Sequence, residues 1–173
     1  KTLGIHNNPH LFCPTYEQTS DFEKLICDHK PNEFYHFAAM THVGDSHLHP
    51  EALFEVNTVW VVKILNYIKK HSSDTKLFFA STSEIFNKKD SKSMDENSIK
   101  GANSPYGISK LAAHQMVEYF RDVNGLFACN GILFNHTSVY RGHNFVEQKI
   151  VKAATAIRKH QQKVLYLGKV LHH

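Results

Sequence analysis

The chain has 173 residues, 42% hydrophobic and 12% aromatic, which is enough for a domain with a real core and too apolar for disorder as a whole. Its 20 basic and 16 acidic residues give a formal charge of +4 and are interspersed, so no Lys/Arg run is long enough to follow a nucleic-acid backbone, whereas an anionic small molecule suits the balance. No apolar run approaches the roughly 18 residues that span a bilayer, and the start KTLGIHNNPH has no signal-like apolar stretch, so the expectation is a cytoplasmic protein without a membrane partner. Cys13, Cys27 and Cys129 are too few and scattered for a disulfide framework or a zinc site. The cluster His42, His47 and His49 lacks both the i,i+4 pairing of helical ligands and an acidic companion, so no metal is expected.

Along the chain, a weak strand around Leu11 to Cys13 precedes a predicted helix from about Asp21 to His29. Phe34 to Ala39 (FYHFAA), following Pro31 and Asn32, reads as a buried strand. Leu53, Val56, Val59, Trp60, Val62, Ile64, Leu65 and Ile68 recur at helical spacing and predict one long helix over Pro50 to Lys70. Lys76 to Ser81 (KLFFAS) is the second strand, and a polar stretch from Asn87 to Ala102 separates it from a helix opening at Ser104-Pro105. Ser as N-cap and Pro at the first helical position make that a good start signal. A third strand is expected over Leu126 to Asn135, then a loop with Arg141 and Gly142, a helix from about Phe145 to His160 and a short strand from Val164 to Leu167. His172 and His173 read as a frayed or extraneous end. Short β-rich runs alternating with amphipathic stretches are the pattern of a parallel sheet covered by helices, hence an α/β fold. The Gly-rich turn with which nucleotide-binding α/β proteins begin is missing, so the sheet reads as opened at its first half.

The chemistry gathers at two places. Tyr106 and Lys110 form Tyr-x3-Lys just inside a helix, where i,i+4 spacing stacks the side chains on one face. An ammonium beside a phenol favours phenolate, so Tyr106 is expected to have a lowered pKa and to serve as a proton acceptor. Ser81-Thr82-Ser83-Glu84 sits where the second strand ends, the end at which open α/β sheets bind ligands. Alone, Tyr-x3-Lys fits a half-buried Tyr and a solvated Lys, and Glu84 fits a solvated strand-end carboxylate.

The runs FAAMTHVGDS, STSE, SPYGISK and above all NGILFNHTSVYRGHNFVEQKI resemble the extended short-chain dehydrogenase/reductases, and within them the GDP-mannose 4,6-dehydratase family. The resemblance extends from about Asp21 to Gly168. It implies a Rossmann-like doubly wound parallel sheet in a single partial domain over residues 1–173, incomplete at its dinucleotide half and lacking most of a C-terminal substrate part. It further implies catalytic roles for Thr82, Glu84, Tyr106 and Lys110. Tyr106 would take the C4 hydroxyl proton of GDP-mannose as hydride passes to NADP, Lys110 would tune the phenol and bind ribose, and Thr82 would hydrogen-bond the reacting hydroxyl. Glu84 would take the C5 proton and protonate the leaving C6 oxygen. By the same resemblance Phe37, Ala38, Ala39, Met40 and Thr41 run under the cofactor with His136 and Arg141 as further contacts. Asn135 and Lys149, with Thr82 and Glu84, meet the sugar nucleotide, and the intact enzyme is a homo-oligomer, dimer or tetramer.

Ser83 before Glu84, where dTDP-glucose dehydratases resemble Asp-Glu, points to the GDP-mannose type. Two departures stand out. Thr15-Tyr16 replaces an Asp-Leu pair that holds adenine, and Phe86-Asn87 replaces the Tyr-Gly that follows the catalytic Glu. Without the dinucleotide turn, little activity is expected of the chain by itself. Two other functions stay open: a nucleotide-sugar epimerase or reductase of the same fold, against which Glu84 argues, and a non-catalytic remnant used for binding or oligomerisation.

Overall fold

The computed structural model describes residues 20–41, 48–87, 93–142 and 145–167, and divides into two units, Lys1–Phe134 and Asn135–His173, each described by itself. The sequence readings at Leu11 to Cys13, Thr15-Tyr16, His42, His47, His172 and His173 lie outside the described residues.

In the first unit, helix α1 (Ser20–His29) leads to strand β1 (Glu33–His36), α2 (Pro50–Phe54) and α3 (Trp60–His71) to β2 (Lys76–Ala80), and α4 (Pro105–Asp122) to β3 (Ala128–Gly131). The three strands pair in parallel in the order β1-β2-β3, with Phe34, Leu77 and Ala128 level with one another and Tyr35, Phe78 and Cys129 in the next row. Each connection steps the same way across the sheet, and parallel crossovers are right-handed, so the connecting helices fall on one face. The core shows that face: Phe22 and Ile26 of α1, Val61, Ile64, Leu65 and Ile68 of α3, and Ala113, Val117 and Phe120 of α4 close over Leu77, Phe79 and Ala128. By the two-residue period of a strand, Tyr35, Phe78 and Cys129 point to the opposite face. There the Phe78 ring lies between those of Tyr35 (5.9 Å) and Phe37 (5.7 Å) and over Gly131, whose missing side chain leaves room for it.

The expected elements appear with four differences. β1 stops at His36 rather than Ala39, because the chain turns away to meet the Asn57 side chain described below. β3 occupies only Ala128–Gly131, the stretch level with β2. The long helix from Pro50 is interrupted by a wide turn of π geometry at Glu55–Val59. Val164 to Leu167 form no strand; Val164 accepts a hydrogen bond from the side chain of Gln162 instead. Ser104 caps α4, its Oγ accepting from the Gly107 N–H at 3.0 Å with Pro105 in the first turn. After α4, Gly125 takes the left-handed conformation (φ +69°) that turns the chain back toward β3, a backbone state that costs a residue with a Cβ more.

The second unit contains α5 (Val146–Arg158), whose Ala153 is its buried residue. Among the described residues no helix is long and apolar enough to cross a membrane.

Leu65 is fully buried at the centre of the helical layer. Leu65→Ala is expected to lower unfolding stability by about 2–5 kcal/mol, the cost of lost burial plus an incompletely collapsed cavity, read from the shift in denaturation midpoint at constant slope.

Candidate active site

At the carboxyl end of β2 the backbone keeps pairing after the strand has ended. The Ser81 N–H donates to the Gly131 carbonyl (2.9 Å) and the Ser83 N–H to that of Leu133 (2.9 Å). Residues 83–85 then form one 3-10 turn, capped by Thr82, whose Oγ accepts from the Glu84 N–H at 3.3 Å. Beyond the turn, Gly101 donates to Ile85 (2.8 Å) and Asn87 to Ile99 (3.1 Å), making a short antiparallel bridge between Phe86 and Lys100. The segment bearing Thr82 and Glu84 is thus held on both sides by backbone bonds.

The start of α4 lies against this turn. A Cβ at Gly107 would stand 2.6 Å from the Glu84 carbonyl oxygen, an overlap, so the approach depends on glycine. The contact brings Tyr106 to Thr82 and Glu84. The Tyr106 phenol is half-buried and its pKa is raised above 10: burial is the main cause, a hydrogen bond from Thr82 pulls it back down, and the Glu84 charge raises it further.

Lys110 follows one turn later, only 3% exposed, with its ammonium over the Phe79 ring 4.1 Å from the centroid. Burial lowers its pKa to about 8. On the same ring, His36 stacks at 6.0 Å and 18°, and burial, followed by the nearby Lys110 charge, holds it down to about 4, so this imidazole is neutral at physiological pH. The expectation that Lys110 draws the Tyr106 pKa down is therefore corrected. The i,i+4 spacing puts both residues on one helix, but the ammonium sits on an aromatic ring and burial dominates the phenol.

Asn57 and Thr58 join the site although the sequence reading passed over them. Asn57 accepts from the Met40 N–H at 2.9 Å and donates to the Met40 carbonyl at 3.0 Å and to Ser109 Oγ at 3.2 Å. Thr58 donates to the Ser109 carbonyl at 2.8 Å, and Ser109 Oγ donates to the Tyr106 carbonyl at 2.8 Å. The π turn at Glu55–Val59 presents both buried polar side chains to α4, so the segment after β1 is tied to the helix that carries Tyr106 and Lys110. Their signal in the sequence was an adjacent polar pair inside an apolar helical stripe.

The structure therefore brings Thr82, Glu84 and Tyr106 together, sets Lys110 one turn along the same helix over Phe79, and fastens Met40 to that helix. Phe37, Ala38 and Thr41 are exposed and Ala39 is half-buried. Asn135, His136, Arg141 and Lys149 belong to the second unit, where Asn135, His136 and Lys149 are exposed and the Arg141 guanidinium stacks on Phe145 at 3.7 Å. Among the described residues no three His, Cys, Asp or Glu side chains gather as a metal site.

A strand-end Thr-x-Glu packed on the Tyr-x3-Lys helix of a parallel sheet can be compared with known proteins. A family model described as GDP-mannose 4,6 dehydratase matches residues 3–172. The chain belongs to the GDP-mannose 4,6-dehydratase family. It is similar to the GDP-mannose 4,6-dehydratase of Vibrio cholerae, 31% identical over 95% of this chain and 46% of that protein. It is also similar to the GDP-mannose 4,6 dehydratase of Cricetulus griseus, 38% identical over 95% of this chain and 45% of that protein. The chain thus spans a little under half the length of these members. Among solved structures, RMD from Pseudomonas aeruginosa complexed with NADPH superposes with a TM-score of 0.72 and 20% identity, covering 84% of this chain and 49% of that one, which supports the Rossmann-like fold.

Two outcomes follow from this geometry. Asn57→Leu strips the Met40 amide of its acceptor, and its protection from hydrogen exchange is expected to vanish while that of Ile64 and Leu65 persists, at a stability cost of about 1–3 kcal/mol for the stranded polar groups. Lys110 carries a burial penalty that is fully present below about pH 8, where folded and unfolded chains both hold the proton, and fades as the pH climbs from about 8 toward the ordinary 10.5. Unfolding stability should therefore rise between pH 8 and 10 relative to Lys110→Met, by parallel denaturant titrations; parallel pH profiles would contradict the assignment.

Proposed function

We propose that this chain carries the catalytic core of a GDP-mannose 4,6-dehydratase using NADP. The reaction removes one water from the hexose: the C4 alcohol becomes a ketone and the C6 hydroxymethyl a methyl group. The reading is carried by the convergence of Thr82 and Glu84, at the end of β2, with Tyr106, at the start of α4.

The residues present fit a nicotinamide dinucleotide at Lys110, since a buried ammonium with its pKa pulled down gains from oxygen acceptors such as a ribose diol. Bound there, the nicotinamide supplies acceptance and return of a hydride. The protein's own groups handle the protons. Tyr106 takes the proton of the C4 hydroxyl when it is in its phenolate form, which the Thr82 hydrogen bond favours against burial and the Glu84 charge. With a ketone at C4 the C5 proton becomes acidic; Glu84 removes it and passes it to the departing C6 oxygen, and the proton that Tyr106 took from the C4 hydroxyl balances the one that C5 regains as hydride returns to C6. Because the Glu84 charge raises the Tyr106 pKa, the two groups resist being anionic together, which fits bases acting in succession. Glu84 also favours dehydration over epimerisation or reduction, neither of which needs an acid there.

In the same proposal the segment Phe37 to Thr41 runs beneath the cofactor, with Met40 held by Asn57. His136 and Arg141 serve the cofactor, and Asn135 and Lys149 the sugar nucleotide, the cations meeting phosphate charge.

With GDP-mannose and NADP little turnover is expected of this chain by itself, whereas the intact enzyme is expected to form the 4-keto-6-deoxy product, identified by loss of one water in its mass. Glu84→Gln should lower that rate by about 10²–10⁴-fold while hydrogen transfer from C4 to the dinucleotide persists. Full dehydratase activity in this variant would remove Glu84 from the mechanism.

A further inference from the structure

Next to this site runs a buried polar chain that no proposed step uses. Ser81, the residue before Thr82, is 3% exposed, and its Oγ lies 3.0 Å from Nδ1 of His114 on α4, itself 2% exposed. Nε2 of His114 lies 3.1 Å from Oε1 of Glu118 one turn further on, and Lys100 Nζ approaches the same oxygen at 3.8 Å. From β3, Asn130 donates to the His114 carbonyl at 3.1 Å, which holds the backbone beneath the ring.

The two ends of this chain border one short segment. Ser81 enters the Thr82–Glu84 turn. Lys100 lies on the segment that pairs with its exit, through the Phe86–Lys100 bridge and the bond from Gly101 to Ile85. The Glu118 carboxylate is thus connected to both flanks of the residues assigned the chemistry, on one side through His114 and on the other through Lys100.

Hydrogen-bond chemistry sets the state of the ring. A carboxylate only accepts, so Nε2 carries the hydrogen and donates to Glu118; Nδ1 is left to accept from the Ser81 hydroxyl. Burial is the main influence on His114 and keeps the ring neutral, with Lys100 and Arg121 acting the same way and Glu118 acting against them. A proton added at Nδ1 turns that atom into a donor. Ser81 must then accept where it had donated, and its own hydrogen must find another acceptor.

We infer that His114, oriented by Glu118, is a positioning residue for the proposed dehydration, locking Ser81 and through it the turn that presents Thr82 and Glu84. The kinetic consequence rests on the functional reading above, whereas the lock is a property of the fold. A histidine that merely filled the core would leave the turn indifferent to its protonation.

The test uses 15N-labelled protein. Long-range 1H–15N spectra report the His114 tautomer, and backbone amides of Thr82, Ser83, Glu84 and Gly101 are followed through a pH titration. The lock requires the Nε2–H tautomer and requires the four amides to shift together with the His114 midpoint, below the ordinary 6.5. In His114→Asn, whose amide oxygen can accept from Ser81 in place of Nδ1 but cannot titrate, the amides keep their neutral-pH positions and the pH-linked shift disappears. In Glu118→Gln, which keeps the size of the side chain and removes its charge, the tautomer preference weakens and the midpoint falls. An Nδ1–H tautomer, or turn amides blind to the His114 titration, overturns the lock.

Kinetics provide the second arm. In the intact enzyme with GDP-mannose and NADP, His114→Leu should lower kcat about tenfold or more at little changed KM, and His114→Asn should restore most of it while losing the low-pH limb. A loss confined to KM, or no recovery in His114→Asn, overturns the positioning role. If the intact enzyme shows no turnover, the functional reading fails and the amide titration alone decides the lock.

Discussion

The close approach of α4 to the turn after β2 governs the site. At Gly107 the helix touches the Glu84 carbonyl with no room for a side chain, and every other relation follows from that contact. It fixes where Tyr106 meets Thr82, and it lays Lys110 across Phe79 on the helix-covered face of the sheet. The contact persists because both partners are held independently. The turn is pinned by backbone bonds to residues 99–101 and 131–133, and the helix by its Ser104 cap and the apolar layer beneath Ala113 and Val117.

Burial sets the electrostatic character of this corner. His36, Lys110, His114 and Tyr106 are all shifted toward their neutral forms, and desolvation is the main cause at each. A site that disfavours charge at rest rewards a ligand that brings complementary groups, because each new hydrogen bond or opposite charge acts where little water competes. The same low polarity explains why so many polar side chains here are paired: Asn57 makes three hydrogen bonds, and Ser81, His114 and Glu118 form a continuous run. The cost of leaving such groups unpaired ties the segment after β1, the turn after β2 and the start of α4 into one unit.

Much of this was legible from local pattern. The stripe from Leu53 to Ile68 and the Ser104-Pro105 start correspond to helices, and the apolar run at Lys76 corresponds to β2, because burial on one face and capping are local properties of the chain. The π turn was not legible, since its reason lies in Asn57 and Thr58 reaching Met40 and Ser109, partners distant in sequence. The length of β3 was overread for a related reason: Leu126 to Asn135 is mostly apolar, but only Ala128–Gly131 stands level with β2 in the ladder. Val164 to Leu167 has β-forming composition, and composition does not supply a partner strand.

By itself the sequence determined the α/β order of elements and the family, and it proposed Thr82, Glu84, Tyr106 and Lys110 as the site, since periodicity, caps and motifs are written in neighbouring residues. The tertiary structure alone decided their electrostatic state. The i,i+4 spacing invited an ammonium beside a phenol, whereas the fold places that ammonium over Phe79 and buries the phenol against Thr82. It also decided that His114, one more histidine among fourteen, lies against Ser81. Desolvation and contact depend on what the rest of the chain packs around a group, and that is settled only when distant segments meet.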